Sequence, residues 1–363
     1  ELNQKNELLN NFYHDRPQVP MSDWLNWIFL AADSFIVKSV SGRKAVIAGY
    51  HWFEPWGRDT FISLPGLMLV TGKYSDAKDI LQNFGQYCKS GLIPNFVADK
   101  TGIPVYNTVD GTLWFVNAVL QYIKYTGDYS FVKDELWENL KAIVENHKVG
   151  TLFGIGLDED GLLMHGSRLT WMDAMAGDEE MTPRTGKAVE IQALWFNTLR
   201  TMELLANKFE EPSLAEKYTA MAKQTGESFN QKFWNQQKDC LYDVIDAKGV
   251  DASLRPNQIF AVSLDFTMLD KDKSQKVVDA VNRELVTPFG LRTLSLDDPQ
   301  FVGKCFGDRR SRDTSYHNGT IWPWLMGPYV SAYLKVNDYT AQARNQMLEN
   351  LILPLFTVGI HQG

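Results

Sequence analysis

The chain has 363 residues, 44% hydrophobic and 22% charged, a balance typical of a globular domain. Its net charge of −8 excludes the basic face that a nucleic-acid partner would need, whereas a neutral polyhydroxylated ligand is indifferent to that charge. No apolar run reaches membrane-spanning length, and Cys88, Cys240 and Cys305 are too few and too scattered for a disulfide framework or a metal-ligand spacing. These features point to a reducing, cytoplasmic setting with no membrane, no metal and no organic cofactor.

In chain order, apolar residues recur at helical steps over 21–38, 59–71, 74–87, 109–125, 129–148, 187–206, 212–232, 257–268, 272–285, 316–335 and 338–352. That makes eleven expected helices with almost no competing strand signal. In the segment 187–206, for example, Ile191, Leu194, Trp195, Leu199, Met202 and Leu205 form one apolar stripe. Short joins alternate with long ones. VTGKYSDAK at 70–78, YTGDYSFVK at 125–133 and KVNDYTAQA at 335–343 form a weak internal repeat centred on a Gly or Asn turn, as helical hairpins require. Hairpins tight at one end and loose at the other close into an all-α toroid, an (α/α)6 barrel, with the long loops gathered on one face. Six hairpins need twelve helices, so the eleven expected here leave the last inner helix missing, with LPLFTVGIHQG opening one more long loop. Residues 1–18 are expected to be a linker or remnant and 19–363 the barrel.

The long loops concentrate aromatic and charged residues. Ala48–Leu67 sets Tyr50, Trp52 and Trp56 beside Glu54, Arg58 and Asp59; flat ring faces suit the C–H side of a sugar and charged forks suit its hydroxyls. Asp59 also suits a helix N-cap, but Arg58 in a first turn opposes the helix dipole and asks for another explanation. The second loop offers Asp110 and Trp114. The third offers Trp171 and Asp173, a charge run at Asp178–Glu180, and then Arg184, Lys187 and Glu190; the last is equally a capping-box acid. The fifth offers His317 beside Trp322 and Trp324, and only the fourth is plain, with Arg255–Gln258 at its end. Glycoside hydrolysis needs a protonated carboxyl for the leaving oxygen. Asp173, between Trp171-Met172 and Ala174-Met175-Ala176, suits it best, because apolar surroundings favour the neutral acid.

AGYHWFEPWGRDTFISLPGL, TVDGTLWFVNAV, LTWMDAMAG, TPRTGKAVEIQALWFN and SYHNGTIWPWLMGPY, spread over 45–335, resemble the amylo-α-1,6-glucosidase domain of glycogen-debranching enzymes. The resemblance implies an (α/α)6 barrel that removes the single glucose left at an α-1,6 branch of glycogen or a related α-glucan, with inversion. It places the general acid on Asp173 and a glucose grip on Trp56, Arg58 and Asp59. The family's general base is a Glu a few residues beyond a stretch like Gly359–Gly363, and this sequence does not contain it. A glucoamylase-like or trehalase-like hydrolase and a non-catalytic glucan-binding fragment are the competing readings.

Overall fold

The computed structural model describes every residue except Glu1, Val40, Ser41, Trp52, Asp99, Lys100 and 357–363. Helix dominates it, as the periodicity predicts. Contacts divide the chain into two compact units, 1–143 and 144–363.

The N-terminal unit opens with α1 (Leu2–His14) and α2 (Asp23–Ser34), so the segment expected to be a linker carries a helix, with Phe12 packed on Phe29 at 4.8 Å. The helix expected over 21–38 stops at Ser34. Beyond it the β-branched Ile36 and Val37 enter a short antiparallel ladder with Lys44–Val46, where such side chains are better accommodated. Next come α3 (Gly57–Leu64) and α4 (Tyr74–Gly85). Between them Pro65 has no N–H for the helical ladder, which widens into a π-turn over Pro65–Leu69 with Val70 N donating to Pro65 O at 2.9 Å. The long helix α5 (Asp110–Thr126) is buried around nearly its whole circumference, whereas α4 buries one face. The short α6 (Tyr129–Phe131) runs through another π-turn into α7 (Trp137–Val149), within which the division between the units falls.

In the C-terminal unit α8 (Val189–Lys208) is buried all round and packs along the amphipathic α9 (Pro212–Lys232). Then follow α10 (Phe260–Ser263), α11 (Lys271–Glu284), α12 (Arg309–Tyr316), α13 (Met326–Val336) and α14 (Ala341–Met347). α10 lies against α8 and α13, and α13 also meets α11 and α14. The short joins supply the caps: Asp128, Asp270 and Thr340 accept from the backbone N–H three residues on.

Two further expected helices are shorter than their periodicity. The one over 257–268 is a 3-10 turn at Pro256–Ile259 plus α10, and it ends where Leu264 turns extended and the Lys335 ammonium takes its carbonyl at 2.8 Å. The one over 316–335 is broken at 317–322. Gly319 sits at φ +141°, and a Cβ there would lie 2.4 Å from Val302 O. The chain then runs extended, Ile321–Trp322 pairing with Leu291–Arg292, before Pro323 starts the next turn. Among the described residues, strands of only two or three residues fill the long joins, which lack the unbroken alternation that would have revealed them.

Candidate active site

In the N-terminal unit, Trp56 is extended and bridges to Phe96, with the two rings 5.4 Å apart. Gly57 N donates to Asn95 O at 2.6 Å, and a Cβ on Gly57 would lie 2.4 Å from Pro94 O, so only glycine lets α3 start this close to the neighbouring segment. Asp59 therefore falls in the third position of α3 and is not its N-cap. Arg58 is buried, with Nε 2.9 and 2.8 Å from the two Asp110 oxygens and Nη2 3.4 Å from Thr108 Oγ1. Asp110, 1% exposed, also accepts from Thr108 Oγ1 and from Gly111 N, both at 2.7 Å. This explains a cation in a first turn: its partner stands at the start of α5. Asp59 keeps a surface open to solvent, yet protein crowds its carboxyl. That desolvation pushes its pKa up against the pull of Arg58. Glu54 is half-buried and Trp114 buried, while Trp52 lies outside the described residues.

In the C-terminal unit, Asp173 is half-buried and follows three buried residues, Thr170, Trp171 and Met172. The Trp171 indole stands edge-on to His317, Trp322 and Trp324, at 5.2, 5.8 and 5.2 Å between ring centres. His317 is stacked on Trp322 at 6.0 Å, and Tyr316 meets Trp322 edge-on at 4.9 Å. Edge-to-face pairs of this kind hold rings at fixed angles. Trp322 stays half-buried and Tyr316 exposed, so the cluster presents aromatic surface outward.

Arg184 and Glu190 are 3% and 2% exposed and grip each other. Arg184 Nη2 lies 2.6 Å from Glu190 Oε2, and Nη1 donates to Oε1. Arg184 also forks onto Asp243, Nε to Oδ2 at 2.8 Å and Nη2 to Oδ1 at 3.1 Å. Burial alone would lower the arginine's pKa, but Asp243 and Glu190 outweigh it and raise it; burial raises that of Glu190 against the attraction of Arg184. Lys187 is bound to Asp158 and Asp160 at 2.6 and 2.7 Å. These three charged residues, read as sugar ligands from the sequence, thus hold neighbouring protein in place. Arg255 binds His317 O at 2.6 Å and Asn318 Oδ1 at 2.9 Å, anchoring the break before α13. Asn257 donates to Asp243 Oδ1 and accepts from Trp171 Nε1, both at 2.8 Å. Asp243 was not anticipated: it stands in the plain fourth loop, with no local pattern to mark it.

A family profile described as amylo-alpha-1,6-glucosidase matches residues 30–357. The glycogen debranching enzyme of Saccharomyces cerevisiae is 27% identical over a 379-residue alignment covering 78% of this chain and 24% of the yeast protein. The N,N'-diacetylchitobiose phosphorylase of Vibrio furnissii is 22% identical over 232 residues, 60% of this chain and 28% of its own. The chain thus spans about a quarter of the length of these curated relatives. No described helix is long and apolar enough to cross a membrane.

Proposed function

The chain belongs to the amylo-α-1,6-glucosidase family, and from that premise we propose that it provides the glucosidase activity of a cytoplasmic glycogen-debranching enzyme, hydrolysing α-1,6-linked glucose at branch points with inversion. One observation carries the reading: a half-buried carboxyl, Asp173, lies two residues after Trp171, an indole fixed among aromatic rings. Ring faces bind the apolar side of a pyranose, and a poorly hydrated carboxyl keeps its proton for donation.

In this proposal Asp173 gives its proton to the glycosidic oxygen as the C1–O bond breaks, and the bonding electrons leave with that oxygen. Water adds to C1 from the opposite face and loses a proton to a carboxylate ~6.5–9.5 Å from the acid, the separation that inversion requires. That base is not assigned to a residue of this chain. Trp171 and Trp322 form the aromatic wall. In the Trp56–Asp59 segment, Arg58 is bound to Asp110, and Asp59, a residue that keeps a surface open to solvent, is the group for sugar hydroxyls. The proposed architecture is an (α/α)6 barrel over 19–363. It is supported within each unit by helices buried all round (α5, α8) beside helices burying one face (α4, α9, α11).

The test uses the full natural protein on a glycogen limit dextrin whose branches end in single glucoses. Free glucose should appear, initially as the β-anomer. Asp173→Asn should lower kcat by roughly 10²–10⁴ and leave glucan binding nearly intact. More than a tenth of the activity remaining would place the acid elsewhere. Release of glucose 1-phosphate only when phosphate is supplied would assign phosphorolysis, the reaction named for the Vibrio relative, and preference for maltose or trehalose would assign a different glucosidase.

A further inference from the structure

The segment that delivers Asp173 belongs to no helix or strand: residues 170–174 have neither a helical ladder nor a strand partner. Backbone pairing begins only after Asp173, where Ala174 O accepts from Met181 N at 3.1 Å, so the residues before Asp173 are placed by side chains. Thr170 Oγ1 accepts from Arg184 Nη1 at 3.2 Å, Trp171 Nε1 donates to Asn257 Oδ1 at 2.8 Å, and Met172 Sδ accepts from Asn257 Nδ2 at 3.4 Å. Besides the ring contacts of Trp171, the hydrogen bonds described from elsewhere in the chain to these three residues come from two groups, Arg184 and Asn257. Both are bound to the same carboxylate, that of Asp243.

We propose that Asp243 is a positioning residue for the general acid, a buried carboxylate that fixes Thr170–Asp173 through Arg184 and Asn257. The proposal rests on the reading of Asp173 as that acid. Its core is the orientation of one amide. The two ends of an Asn side chain have almost the same shape, so hydrogen bonding decides which faces which way. Asp243, 2% exposed, can only accept when ionised, and so it draws the Asn257 NH2 towards itself. The amide carbonyl is then left facing the Trp171 indole N–H, which can only donate. With the amide reversed, donor would face donor at the indole and acceptor would face acceptor at the carboxylate. A neutral group at 243 would lose this discrimination.

Charge requires a carboxylate there as well. Arg184 and Arg255 are buried beside Glu190 and Asp243, with Arg255 Nε 3.9 Å from Asp243 Oδ2, so the cluster holds two cations and two anions. Removing the Asp243 charge leaves Arg184, which touches Thr170, pulled towards Glu190 alone.

The test compares three variants of the full natural protein, well below their melting temperatures. The readouts are kcat and KM on limit dextrin and the indole 1H–15N resonance of Trp171, assigned by its loss in Trp171→Phe. Asp243→Asn should lower kcat ~10–100-fold, the cost of a displacement near 1 Å, with KM within about threefold of normal, and should shift the Trp171 resonance. The exchange Asp243→Asn/Asn257→Asp restores the count of buried charges. It lets residue 257 accept from the indole while the new amide donates to it, so the resonance should return and most of kcat with it. Asn257→Leu removes the relay but leaves the Arg184–Asp243 pair intact, and should reproduce both losses even if Asp243→Asn fails to fold. An unshifted resonance in Asn257→Leu, or a folded exchange variant no better than Asp243→Asn, would overturn the proposal. Full activity of Asp173→Asn would remove the catalytic premise instead, and the indole resonance would still report whether Asp243 sets the segment.

Discussion

Glu190→Gln separates two meanings of a charged residue at the start of a helix. In the sequence Glu190 is equally a sugar ligand and a capping acid; in the structure it is 2% exposed and bound through both oxygens to Arg184. The substitution keeps volume and one acceptor but takes one anion from a buried cluster of two cations and two anions. Losing a charge-assisted hydrogen bond costs ~1.5–3 kcal/mol, and leaving a buried ion unpaired costs ~3–5 kcal/mol. Because Asp243 still partners Arg184, the effect should fall near 3 kcal/mol, where the two ranges meet. At ~2–4 °C per kcal/mol for a unit of this size, the unfolding of residues 144–363 should move down by about 6–12 °C. Differential scanning calorimetry would give the shift, and titration calorimetry with a short α-glucan at a temperature where the variant is folded would give the affinity, expected within about twofold of normal. A variant that melts with the parent but has lost most of its glucan affinity would refute the structural assignment and restore Glu190 as a ligand.

In the N-terminal unit, Asp110→Ala removes the carboxylate held by the buried Arg58 and should cost ~3–5 kcal/mol in denaturant unfolding, with Asp110→Asn milder; a loss under about 1 kcal/mol would mean that other groups satisfy Arg58. Acid should weaken the 156–164 hairpin. Hydrogen bonding to Lys187 holds Asp158 below the usual carboxylate range, and for Asp160 the hydrogen bonds from Lys187 and Lys232 outweigh the opposing effect of burial. Since their folded values lie below the unfolded value of 3.8, this stabilisation is present above 3.8 and is lost as pH falls through the folded values. Asp59, raised by desolvation, works in the opposite sense and favours the fold as pH falls from its folded value towards 3.8. Melting Asp158→Asn at a series of acidic pH values should show a shallower loss than the parent, and parallel curves would exclude the hairpin as the source.

Much of the helical framework was legible without coordinates. A stripe such as Ile191–Leu194–Trp195 is a local pattern, since one helical period decides which residues share a face, and α8 falls within two residues of its expected bounds. Gly and Asn turns marked the short joins for the same reason, because caps and left-handed turns act over three or four residues. Where neighbours intruded, the pattern misled: periodicity ran through 317–322, but Gly319 lies against Val302 O and Trp322 pairs with Leu291.

The chemistry divided along the same line. Asp173 stood out because its apolar neighbours are adjacent in sequence. Arg184, Lys187 and Glu190 were expected to be sugar ligands because charge in a loop is visible in the sequence, and the structure adds the protein partner that each one binds. Arg184 meets Asp243 across 59 positions and Trp171 meets Asn257 across 86. A carboxylate in a plain loop carries no local mark of such a role. Local periodicity determines which faces are buried, but only closure of the chain determines which charge meets which, because an ion pair depends on distance in space and leaves no period in the sequence.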